Sequence, residues 1–215
     1  MARSGDSDSR VHSVGDWFTL HVREVVVGVV VVLVAVAGVF FYRQVTAANR
    51  RSAEQQFFAA QAQAADPAAQ QKALDQVISN FEGTPSAAQA AMLLAQLRYD
   101  EGKYDEGLAA LRRLQQGGVS DEFAASVDAL IAAGLEGKGS FGEAAARYLA
   151  AAEKARFDAD RQSYLADAAR AYRLAGNEAE AVKLWTQLAS DPANPHSAEA
   201  RVRLGELTAA AATRG

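Results

Sequence analysis

Gly137-Lys138-Gly139-Ser140-Phe141-Gly142 has the G-x-G-x-x-G spacing that can cradle a dinucleotide pyrophosphate. That chemistry needs a strand before the motif and a helix after it, inside a parallel sheet. Here a helix-like segment precedes it, so it reads as a turn between two helices. His12, His21 and His196 have no second ligand at metal-site spacing and read as surface residues. The acidic pairs Asp100-Glu101, Asp105-Glu106 and Asp121-Glu122 could in principle share acid–base work. All three fall at predicted helix ends, where such charges are solvated or capping. No serine stands in a nucleophile-elbow setting. With no cysteine, disulfides, thiolate catalysis and cysteine-bound metals are excluded. No catalytic, cofactor-binding or metal-ligating residue is therefore expected, and the chain is not read as an enzyme.

Composition points the same way. Half of the 215 residues are apolar, with only four prolines, while mean hydropathy is −0.10. Valine is concentrated near the N-terminus and alanine dominates the rest, which favours helix. The formal net charge is −4. Residues 52–215 carry 16 Lys and Arg against 22 Asp and Glu, a balance of −6. A nucleic-acid footprint would be basic, so none is expected.

From Val25 to Tyr42 no residue is charged. At the helical rise these 18 residues extend about 27 Å, close to the hydrocarbon thickness of a bilayer. Trp17 and Phe18 precede the run, and Phe40-Phe41-Tyr42-Arg43 closes it, as a membrane interface selects. A single strand of that length would far exceed ordinary strands. Val45-Thr46-Ala47 faintly resembles a signal cleavage site. However, the run is long for a signal, and Asp6, Asp8, Asp16 and Glu24 make an unusual leading flank. An uncleaved anchor over 17–45 is expected, after a disordered tail over 1–16 rich in Ser, Asp and Arg. Arg3, Arg10 and Arg23 on one side balance Arg43, Arg50 and Arg51 on the other, so charge does not orient the anchor.

The elements after the anchor repeat. Gly102, Gly139 and Gly176 recur every 37 residues. In the same register stand Glu106, Glu143 and Glu180, the small residues Gly107, Ala144 and Ala181, and the bulky Leu111, Tyr148 and Trp185. A further step back places Leu74 in the bulky column and Val77 under Leu114, which marks a degenerate unit from near Ala53. Each glycine ends a helix in a left-handed turn. Ser140 with Glu143, and Asn177 with Glu180, have capping-box spacing. Asp66-Pro67, Thr84-Pro85 and Asn194-Pro195 read as helix starts. Helices are predicted over 50–64, 67–81, 85–101, 104–116, 120–136, 141–155, 159–175, 178–190 and 196–212. No segment shows the alternation of a strand.

The turns Gly102-Lys103-Tyr104-Asp105-Glu106-Gly107, Gly139-Ser140-Phe141-Gly142-Glu143-Ala144 and Gly176-Asn177-Glu178-Ala179-Glu180-Ala181 resemble the turn inside a tetratricopeptide repeat. The period is slightly long for that repeat, and most of its aromatic start and closing proline are missing. The fold class implied is all-α: one N-terminal transmembrane helix, then a TPR-like α-solenoid of helix hairpins over 46–215. The whole plan resembles bacterial ancillary Sec-translocon subunits, carried by Gly28–Arg43 and by Phe81-Glu82-Gly83-Thr84-Pro85 through Gly102-Lys103-Tyr104. A related reading is an adaptor of a cell-envelope or cell-division complex. The translocon resemblance implies a single-pass protein of the bacterial inner membrane, with a cytoplasmic tail and a periplasmic repeat domain. The implied partners are translocon subunits, unfolded client chains or periplasmic chaperones, held in chaperone-like contact without nucleotide.

Stacked helix hairpins create a concave groove. By repeat register its first-helix lining should include Gln89, Met92, Gln96, Tyr99, Glu136, Arg170 and Arg173, of which Tyr and Arg are typical of protein interfaces.

Overall fold

The computed structural model describes residues 22–212. The tail expected over 1–16, together with His12, Trp17, Phe18 and His21, lies outside the described residues.

The valine run folds as the start of α1, Val22–Gln61. Every described side chain from Val26 to Val45 is exposed. With this apolar run facing outward, the helix is long and apolar enough to cross a membrane. The polar stretch after Tyr42 continues the same helix, as anticipated. The separate helix predicted over 50–64 is its end, closing at Gln61. The described chain forms two compact units, which divide between Asn49 and Arg50.

From Arg50 onward the fold is a succession of short helices. These are α2 (Pro67–Asn80), α3 (Pro85–Asp100), α4 (Tyr104–Gly117), α5 (Asp121–Gly137), α6 (Phe141–Lys154), α7 (Asp158–Leu174), α8 (Glu178–Ala189) and α9 (Ser197–Ala212). Each packs on the next, and α3 also meets α5. The described residues contain no strand.

The turns explain the order. Gly102, Gly139 and Gly176 have φ of 73°, 76° and 78°. In each, the glycine N–H bonds the carbonyl three residues back and the next N–H bonds the one five back. In the middle turn these are Gly139 to Glu136 at 2.8 Å and Ser140 to Leu135 at 2.9 Å. This closes α3, α5 and α7 in one geometry and starts the following helix at once.

The degenerate first unit has Ala65 where the glycine would fall, and no non-glycine residue among those described has positive φ. Its turn relies on Asp66, whose carboxylate accepts the Ala68 and Ala69 N–H groups at 3.1 Å each, ahead of Pro67. Thr84 caps α3 in the same manner, accepting Ala87 N–H at 3.2 Å.

Two starts depart from expectation. Ser140 makes no side-chain cap bond, so its box with Glu143 does not form. Asn177, one atom longer, does accept Glu180 N–H at 3.4 Å. Asn194 accepts His196 N–H at 2.8 Å within a turn, and α9 begins only at Ser197.

The repeat columns are core columns. Gly107, Ala144 and Ala181 are buried, as are Leu111, Tyr148 and Trp185. Between them lie alanine-rich faces, such as Ala87, Ala88, Ala90, Ala91 and Ala95 of α3 and Ala166, Ala168, Ala169 and Ala171 of α7. Small side chains on several faces let these helices be covered from more than one side. Gly107 shows how close the approach is: a Cβ there would stand 2.4 Å from Tyr99 Cε1 and 3.0 Å from the Ala95 carbonyl.

Candidate functional site: a cleft across α3, α5 and α7

Helices α3, α5 and α7 each present one face to a common trough of 530 Å³. From α3 come Gln89, Met92, Leu93 and Gln96; from α5, Ser126, Ala129 and Leu130; from α7, Tyr164 and Asp167, with Tyr148 of α6 reaching in from behind. The first three predicted groove residues, Gln89, Met92 and Gln96, therefore share one wall. They lie at i, i+3 and i+7, the spacing that keeps side chains on one helix face.

Glu136, Arg170 and Arg173 line a neighbouring recess of 170 Å³ together with Leu174, Trp185 and Arg203. Two hydrogen bonds join the two hollows. The Tyr148 hydroxyl donates to Glu136 Oε2 at 3.0 Å, and Arg170 Nη1 donates to Asp167 Oδ1. Tyr99 points inward instead. Its ring lies against Gly107 and Gly134 and 5.8 Å from the Tyr104 ring, and its hydroxyl is buried without a partner.

Electrostatics are concentrated around Arg170. Its Nε–H and Nη2–H donate to the two Glu199 oxygens at 3.0 and 2.8 Å, a bidentate pair, and its guanidinium lies 6.0 Å from the centre of the Trp185 ring. The Arg170 hydrogen bonds hold the Glu199 carboxyl below its ordinary range, and the Glu199 bonds push the Arg170 guanidinium up. Asp167 moves the other way. Burial raises it, Arg170 opposes that, and the nearby Glu136 charge adds to the rise. Burial and the Glu136 charge together push the Tyr148 hydroxyl up.

Sequence reasoning missed Asp167, Tyr164 and Glu199. Asp167 and Arg170 are an i,i+3 pair on α7, which was a usable signal. Glu199 lies 29 residues from Arg170 and left none.

It also missed Asp128, fully buried on α5. Its carboxylate receives Gln115 Nε2–H at 3.1 Å, Arg147 Nη1–H at 3.1 Å and Lys154 Nζ–H at 2.5 Å. A lone acid in the apolar stretch Val127-Asp128-Ala129-Leu130-Ile131 was the available cue.

His196, read as a surface residue, is partly buried. Its Nε2 is 3.1 Å from Ser163 Oγ and its Nδ1 is 3.8 Å from Glu199 Oε2. The order Ser, His, Glu invites comparison with a nucleophilic set. The Ser163 hydroxyl, however, donates to the Ala159 carbonyl at 3.0 Å, and Glu199 is committed to Arg170. The serine proton is directed away from the base that would have to remove it, so the contact ties the α8–α9 turn to α7. Among the described residues no group of His, Asp and Glu is placed to hold a metal ion.

The family described as "Tetratricopeptide repeat-like domain" matches residues 16–209. Among solved structures the chain resembles a Podosopora anserina protein described as a kinesin light chain with nearly identical TPR-like repeats. Identity is 19%, the TM-score is 0.58, and the match covers 75% of this chain and 87% of that one. A single-residue variant of the same protein matches equally. At that identity the likeness is one of fold. No curated protein matches the sequence.

Proposed function

Because the chain belongs to the tetratricopeptide repeat-like domain family, we propose that it is a membrane-anchored scaffold that holds another polypeptide in the cleft across α3, α5 and α7. The observation that carries this reading is the trough itself. Three successive first helices place amide, apolar and aromatic side chains around one volume of 530 Å³, a size within the usual range of binding sites. Family membership favours recognition over catalysis, since repeat solenoids work through extended surfaces. The exposed apolar first half of α1 supplies the tether, inserted from Val25 to Tyr42.

The finer reading follows the plan of one early anchor and divergent repeats. The protein serves as an ancillary subunit beside the Sec translocon of the bacterial inner membrane. Its repeats face the periplasm and contact emerging chains, or the chaperones that receive them. Long domains translocate largely regardless of flanking charge, which is compatible with that orientation.

Two measurements test the proposal. A photoreactive residue at Gln96 should crosslink to a secretory precursor arrested during export, and the same residue at exposed Lys183, on α8, should not. Alkaline phosphatase fused after Gly215 should be active. Activity only of a cytoplasm-dependent reporter at that site would remove the topology and the translocon role, leaving a tethered scaffold.

A further inference from the structure

Building on the cleft reading above, we infer that the occupant is an extended polypeptide segment that sets apolar side chains on the floor and a basic side chain against Asp167. The floor is Met92 and Leu93 of α3 with Leu130 of α5, all partly buried. The wall residues Gln89 and Gln96 are exposed and uncharged. They stand seven residues apart on one helix, about 10 Å along its axis, which matches roughly three residues of extended chain. Carboxamides at that interval can both donate to and accept from a peptide backbone.

Charge decides which segment fits. Asp167 is the one charged side chain among the described lining residues. The groups acting on it are Arg170, Glu136, His196 and Glu199. Arg170 is the nearest cation: its Nη1 bonds Asp167 Oδ1, but its Nε and Nη2 are given to both oxygens of Glu199, so one guanidinium is divided between two carboxylates, and no bond to Asp167 Oδ2 is among those described. Glu136 is engaged only by the neutral Tyr148 hydroxyl among the bonds described. Acid is therefore in surplus at this end of the trough. An incoming carboxylate would meet Asp167 and Glu136 with the one nearby cation already shared with Glu199, whereas a guanidinium or ammonium would neutralise the excess. The raised Asp167 carboxyl fits a charge that folding has desolvated and left incompletely paired.

The test uses the full chain in detergent micelles and fluorescence anisotropy with short capped peptides of alternating Leu and Ser. The peptides carry one central Arg, Gln or Glu. The Arg peptide should bind roughly fivefold tighter than the Gln peptide, the Glu peptide weakest, and the gap should shrink as salt rises. Asp167→Asn should bring the Arg peptide down to the Gln peptide, and Leu130→Gln should weaken all three. The salt series on the unaltered protein answers the charge question even if Asp167→Asn unfolds. Equal binding of the three peptides, or preference for Glu, overturns this inference and leaves the cleft reading intact. Binding of none of them overturns the cleft reading as well. A dimer in sedimentation that Leu130→Gln dissociates would make a second copy the occupant and also overturn it.

Discussion

Trp185→Ala probes the repeat register where the structure gives the effect a size. The ring is fully buried on α8, in the column shared with Leu111 and Tyr148. A tryptophan buries about 150–250 Å², and at ~25 cal/mol per Å² its removal forfeits roughly 4–6 kcal/mol of transfer energy. The Arg170 guanidinium, 6.0 Å from the ring centre, adds up to about 1 kcal/mol. Against this, the Trp185 Nε1–H is buried with no partner, and deleting such a donor returns about 1–3 kcal/mol. The net loss is ~3–5 kcal/mol, the usual range for a large buried aromatic. At about 2–4 °C per kcal/mol for a domain of this size, the melting temperature should fall by roughly 6–20 °C. Thermal unfolding of the full chain in detergent, followed by circular dichroism, measures it. Trp185→Phe should fall by much less, because it keeps most of the ring and removes the orphan donor. A loss below about 1 kcal/mol for Trp185→Ala, or a Phe variant as damaged as the Ala variant, would refute this reasoning.

Gly139→Ala should cost about 1–2 kcal/mol, since the turn holds φ at 76°; an unchanged urea midpoint would count against it. Arg147→Ala and Lys154→Ala should together cost more than the sum of the singles, because each single leaves Asp128 one cation while the pair strands a buried carboxylate. Additivity within about 0.5 kcal/mol in a double-mutant cycle would contradict that coupling. Burial pushes the Tyr99 hydroxyl up from its ordinary 10.0 to about 12. The unfolded chain then sheds this proton first, so stability is full below pH 10.0 and declines as pH rises from 10.0 through about 12. Ultraviolet titration of tyrosinate should show two late groups, Tyr99 and Tyr148, of which Tyr99→Phe removes one, and a titration that Tyr99→Phe leaves unchanged above its ordinary 10.0 would rule this out.

The helices after α1 were legible because their ends are chemically marked. Pro67 and Pro85 begin α2 and α3 as read, and Gly102, Gly139 and Gly176 end α3, α5 and α7 through backbone geometry that only glycine adopts freely. What was not legible depends on distance or competition. Ser140 has capping-box spacing, yet its N–H is held by Leu135 and not by Glu143, and its hydroxyl, one atom shorter than the Asn177 amide that caps the equivalent turn, makes no cap bond. Tyr99 lies on the groove helix, but facing glycines at 107 and 134 open a slot that takes its ring inward. Asp167 and Asp128 acquire meaning from partners on other helices. A periodic pattern shows which face a side chain is on, and it does not show which charge will stand opposite.

Asp128 has a mechanical consequence. A solenoid held only by neighbour-on-neighbour packing peels from its ends, one hairpin at a time. Here one carboxylate on α5 is fastened to Gln115 on α4 and to Arg147 and Lys154 on α6. These three helices must therefore release in concert. Under load on the cleft, fraying from the C-terminal hairpins should stall at this rivet, and the wall formed by α3 and α5 would be the last part of the groove to lose its shape.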